Sequence, residues 1–103
     1  MEGVIVDQHF VRRRRHNRLL SLVLENPRLL GIGIDESTAI WVRPDRTFDV
    51  LGAGPVMVYD AAAADVRRDA GDRGLRASAV LLHVLRGGSR YDLEARTVVR
   101  LGP

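Results

Sequence analysis

The sequence predicts an α/β fold that opens as a strand–helix–strand unit and continues as an antiparallel β extension. Three observations carry this. The short apolar run Gly3 to Val6 closes on Asp7. Leucines and valines recur at helical spacing between Arg14 and Glu25. Beyond Thr38, short apolar stretches alternate with turns bearing Gly, Pro and Asp. A strand–helix–strand unit followed by several short strands is the pattern of a mixed α/β domain with an added meander.

Gly3 to Val6 reads as a short buried strand. Arg14 to Glu25 reads as an amphipathic helix, with Leu19, Leu20, Val23 and Leu24 on one face and Arg14, Arg18 and Ser21 on the other. Asn26-Pro27 ends it, because the residue before proline is pushed out of the helical region. Leu29 to Ile34 is the next strand, with Gly31 and Gly33 marking positions where another backbone approaches closely. Ala39 to Val42 and Phe48 to Leu51 are strands joined by the turn Pro44-Asp45-Arg46. Gly52-Ala53-Gly54-Pro55 turns into a strand from Val56 to Tyr59. The Ala-, Asp- and Arg-rich stretch from Asp60 to Arg76 is expected to be a loop with at most one helical turn. Ala79 to Leu85 is an apolar strand containing His83, Arg86 to Ser89 a turn, and Thr97 to Leu101 the last strand. The first strand looks central, yet the parallel partners expected beside it are absent, so the fold reads as incomplete. The expectation is one partial domain over residues 1–103, with a strand–helix–strand part over 1–36 and a β-rich extension over 37–103.

A hydrophobic fraction of 46% with 28% charged residues fits a globular chain and excludes a disordered one. The absence of cysteine excludes disulfides, thiolate metal sites and a thiol nucleophile. No apolar run approaches the ~20 residues of a membrane span. The first apolar segment is too short for a signal peptide, so a cytoplasmic location is the default expectation. All 16 basic residues are arginine, and the net charge is +3. Arg12, Arg13, Arg14, Arg15 and Arg18 crowd one short segment, where like charges repel. They read either as a solvated face or as a binding site for carboxylates or phosphates, to both of which the guanidinium fork is matched, an acidic substrate being the better functional reading. Phe10, Trp41 and Phe48 are too scattered to form a stacking platform, so nucleic acid is not an expected partner.

Asp7-Gln8-His9-Phe10 delivers a histidine to a strand end, and Asp35-Glu36 delivers a carboxylate to another. His9 is a candidate general base, or a histidine satisfied by backbone groups. Glu36 is a candidate orienter of that imidazole. Asp35 beside it points to the opposite face of an extended chain, so only one of the two can serve. Read alone, the pair is more readily a solvated turn. His16 and His83 have no partners at metal spacing, and no metal or cofactor is expected. Ser21, Ser37, Ser78 and Ser89 are the serines, and none sits in a G-x-S-x-G elbow.

The block Asp7-Gln8-His9-Phe10, the arginines after it, Glu25-Asn26-Pro27, the run Leu30 to Glu36 and Thr38-Ala39 resembles the C-terminal half of cyanophycinases. These are serine peptidases of the peptidase E-like group, similar in fold to the flavodoxin-like class I glutamine amidotransferases. Val50 to Gly54, Leu82 to Leu85 and Tyr91 to Leu93 resemble that family's tail. The resemblance implies the C-terminal part of such a sandwich and hydrolysis of cyanophycin, or another β-aspartyl peptide, to β-Asp-Arg dipeptides. It places His9 and Glu36 on the histidine and glutamate of a Ser–His–Glu triad, and Asp7 and Gln8 beside them. Arg13, Arg15 and Arg18 fall on arginines that contact the substrate's carboxylates. The nucleophilic serine has no counterpart in these residues, which implies a portion inactive alone. A non-catalytic carboxylate-binding module, and half of a split enzyme whose missing N-terminal half or homodimer partner completes it, are the other expectations.

Overall fold

The structure, a computed structural model, describes residues 3–8, 16–68 and 75–102. Strands β1 (Val4–Gln8) and β2 (Leu30–Ile34) are parallel, in register from Val4 opposite Leu30 to Gln8 opposite Ile34. Helix α1 (His16–Glu25) connects them and lies on one face of the sheet. Leu19 and Val23 of α1 are fully buried there, with Leu20 and Leu24 half-buried beside them, as the helical period predicts. Glycine at position 31 permits this contact. A Cβ there would stand 2.5 Å from Val23 Cγ2 and 3.2 Å from Leu19 Cδ1. The helix ends at Asn26, whose side-chain amide donates back to the Leu22 carbonyl at 3.1 Å.

Strands β3 (Thr38–Val42), β4 (Thr47–Gly52), β5 (Val56–Asp60), β6 (Asp65–Arg68), β7 (Leu75–Ser78), β8 (Leu81–Leu85), β9 (Arg90–Asp92) and β10 (Thr97–Arg100) follow. They complete a mixed sheet in the order β1-β2-β5-β8 and an antiparallel sheet in the order β10-β9-β4-β3. The main core fills the space between these sheets. Leu30, Ile32, Ile34, Val56, Val58 and Leu85 face Phe48, Val50, Tyr91 and Leu93. Strand alternation explains the division, since Gly31, Met57 and Tyr59 point instead toward α1. The result is a mixed α/β architecture of helix, mixed sheet and antiparallel sheet.

The structure departs from expectation at two places. Asp60 to Arg76 is not simply a loop, because it contains β6 and the start of β7, which pair antiparallel from Asp65 opposite Ser78 to Arg68 opposite Leu75. These strands carry little apolar surface, so they leave no alternating hydrophobic pattern in the sequence. The three-residue strand β9 carries no periodic pattern in the sequence. Its Tyr91, flanked by Arg90 and Asp92, is fully buried and pairs with Phe48 at a ring-centroid distance of 5.5 Å. Among the described residues, β1 lies at an edge of its sheet, paired with β2 alone.

Two charged groups on β4 and β9 join across the antiparallel sheet. Asp49 accepts from Arg90 Nε at 2.6 Å and from Arg43 Nη2 at 2.6 Å. These arginines, Arg90 foremost, hold its carboxyl well below the usual carboxylate range. Burial has the opposite effect on Tyr91. With the Asp60 carboxylate adding a smaller push, it raises the phenol from 10.0 to about 12. The folded chain therefore keeps this proton in a range where the unfolded chain has lost it. Its contribution to stability is complete below pH 10 and is lost as pH rises through about 12. Thermal melts across that interval should show a steep alkaline loss of stability, and Tyr91→Phe should flatten it. An unchanged alkaline slope in Tyr91→Phe would refute the assignment.

Candidate active site

Parallel pairing sets the geometry of the site. Because Gln8 stands opposite Ile34, β1 and β2 end at the same level. Asp35-Glu36 therefore leave β2 at the level where β1 ends in Gln8. In α/β sheets the carboxyl ends of parallel strands are where ligands bind. A cavity of about 220 Å³ opens there, lined by Gln8 from β1 and by the stretch Ile34 to Ile40. Glu36 and Asp35 are half-buried in its wall, and Gln8 is exposed. Asp7, one residue earlier on β1, is partly buried and stands opposite Gly33. Arg18 is exposed on α1. His9, Arg13 and Arg15 lie outside the described residues.

The turn that carries Glu36 is held by a second loop. Asp35 N–H donates to the Pro55 carbonyl at 3.2 Å, and Ala53 N–H donates to the Ser37 carbonyl at 3.1 Å. Thr38 Oγ1 donates to the Glu36 carbonyl at 3.0 Å and accepts from Gly54 N–H at 2.9 Å. Ser37 has φ of 57°, a left-handed conformation that non-glycine residues adopt only when surroundings enforce it. In the sequence, Gly52 to Pro55 carries the signature of a turn and no sign of its contact with Thr38. The only available signal was a threonine two residues after Glu36, a spacing that suits a side-chain-to-backbone bond.

A larger cavity of about 370 Å³ lies beside α1, lined by Leu20, Leu24, Tyr59, Val80 and Leu82 among others. It is apolar and brings together no acid–base pair. Among the described residues, no group of three or more His, Cys, Asp or Glu side chains is arranged to hold a metal ion. No helix among them is long and apolar enough to cross a membrane.

Comparison with known proteins bears on the family. A cyanophycinase of Geminocystis herdmanii is 40% identical over 92 residues, which covers 86% of this chain and 34% of that relative. This chain is similar to cyanophycinases. Those of Trichormus variabilis and Synechococcus elongatus match at 39% over 99 residues and 38% over 106 residues, covering 93% and 95% of the chain. The chain spans about a third of the length of these cyanophycinases. No protein-family model matches it. The cyanophycinase-like similarity runs across β1, α1, β2 and the antiparallel extension alike, since it takes in nearly all of the chain.

Proposed function

We propose that these 103 residues are the base-carrying portion of a cyanophycinase-like serine peptidase with a class I glutamine amidotransferase-like sandwich, acting on the aspartate backbone of cyanophycin or a related β-aspartyl peptide. The observation that carries this reading is the parallel register of β1 and β2, which brings the strand ends preceding His9 and Glu36 side by side. In the proposed chemistry His9 takes the proton from a serine hydroxyl as the oxygen attacks the peptide carbonyl. It then returns that proton to the leaving amine. Glu36 accepts the other imidazole N–H, fixing the tautomer and stabilising the imidazolium. Asp7 and Gln8 shape the pocket on the β1 side. Arg13, Arg15 and Arg18 bind the polymer's free carboxylates, which sets the register of the backbone at the nucleophile. No serine in this sequence stands in an elbow, so the nucleophile comes from polypeptide outside these residues.

Two assays test the reading. The chain alone is expected to release no β-Asp-Arg dipeptide from cyanophycin. Mixed with the portion of the Geminocystis herdmanii cyanophycinase that it does not span, it should restore turnover, and His9→Ala should abolish that turnover. Hydrolysis by the chain alone, or a reconstituted activity indifferent to His9→Ala, would overturn the proposal.

A further inference from the structure

We infer that Thr38, together with the Gly52–Pro55 loop, is the positioning device for Glu36; this rests on the proposed pairing of Glu36 with His9. The carboxylate of an orienting residue must be held in place, because a small displacement misaligns the imidazole it serves. Glu36 sits on a turn between β2 and β3, two strands of different sheets, so neither sheet alone fixes its backbone. The Gly52–Pro55 loop fixes it instead. Residues on both sides of Glu36 are tied to that loop, through Asp35 N–H to the Pro55 carbonyl and through Ala53 N–H to the Ser37 carbonyl.

Thr38 closes the arrangement. Its single hydroxyl donates to the Glu36 carbonyl at 3.0 Å and receives Gly54 N–H at 2.9 Å, so one side chain binds the orienter's own backbone and the loop at once. The packing leaves little slack. A Cβ at position 54 would stand 2.6 Å from Thr38 Oγ1 and 2.9 Å from Asp35 Oδ2, and a Cβ at position 52 would collide with the Ser37 carbonyl. Gly52 has φ of 107°, which a side chain rarely tolerates. The left-handed Ser37 is the product of this clamp, since its carbonyl is pulled toward Ala53 N–H. Thr38 is therefore a positioning residue that acts through Glu36 and has no contact with the reacting atoms in this account.

The test reads the imidazole rather than turnover. His9 is titrated by NMR in the 103-residue chain and in Glu36→Gln, Thr38→Val and Thr38→Ser, its resonance being assigned by its loss in His9→Ala. An opposite charge beside an imidazolium raises its pKa, so Glu36→Gln should lower the His9 pKa by about one unit. Thr38→Val, which keeps the shape and removes the hydroxyl, should reproduce at least half of that fall, and Thr38→Ser should restore the original value. If Glu36→Gln lowers the pKa and Thr38→Val does not, the inference is overturned while the pairing stands. If Glu36→Gln leaves His9 unmoved, the pairing itself fails. Should Thr38→Val not fold, Gly54→Ala presses on the same hydroxyl from the loop side. It is expected to lower the His9 pKa, and an unchanged value there overturns the inference equally.

Discussion

Phe48→Ala is expected to lower the unfolding free energy by about 3–5 kcal/mol, the range for truncating a buried aromatic side chain. Phe48 is fully buried on β4 between the two larger sheets, with the Tyr91 ring tilted against it at 5.5 Å. Truncation removes the transfer free energy of the ring and leaves a cavity that two paired sheets cannot close by moving a single side chain. Against a total stability of about 5–15 kcal/mol for a domain, this is a large fraction. Chemical denaturation should show a lower midpoint at an unchanged slope. Leu51→Ala, three residues along the same strand, is the contrast. Leu51 is 49% exposed, so its loss should stay within about 0.5 kcal/mol. A Phe48→Ala loss below about 1 kcal/mol would mean that the inter-sheet core is not the seat of stability.

That core was partly legible in the sequence. Apolar residues on β2 and β5 alternate with glycine, methionine and tyrosine, and the period alone assigns the faces. The helical period of Leu19 and Val23 likewise fixes which side of α1 is buried. Two kinds of feature escaped. The β6–β7 pair has almost no hydrophobic signature, because its strands, Asp65–Arg68 and Leu75–Ser78, pair through their backbones and carry mostly polar and charged side chains. Strand β9 is too short for a periodic signal, although Tyr91 alone fills a central place in the core. The site divides in the same way. Asp35-Glu36 at the end of an apolar run is a local pattern. The bond from Gly54 to Thr38 spans 16 residues, and that from Arg90 to Asp49 spans 41, so no local pattern encodes either.

In the reconstituted enzyme, Glu36→Gln is expected to lower kcat by about 10,000-fold, the scale seen when the acidic member of a triad is replaced by its amide. The physical reason is that an amide offers an N–H donor as readily as an acceptor. It therefore stabilises the wrong imidazole tautomer, and it brings no charge to offset the imidazolium. KM should change little, because substrate carboxylates are assigned to the arginines and not to this group. Asp35→Asn separates the two neighbouring acids. The Asp35 side chain lies against the loop, with Oδ2 2.9 Å from where a Cβ on Gly54 would sit. It is thus occupied on the loop side. Its amide variant should cost less than about tenfold in kcat, from loosening of the turn rather than from a wrong tautomer. Were Asp35→Asn the more damaging of the two, the orienting role would pass to Asp35, and the Thr38 hydroxyl would be holding the wrong carboxylate's backbone.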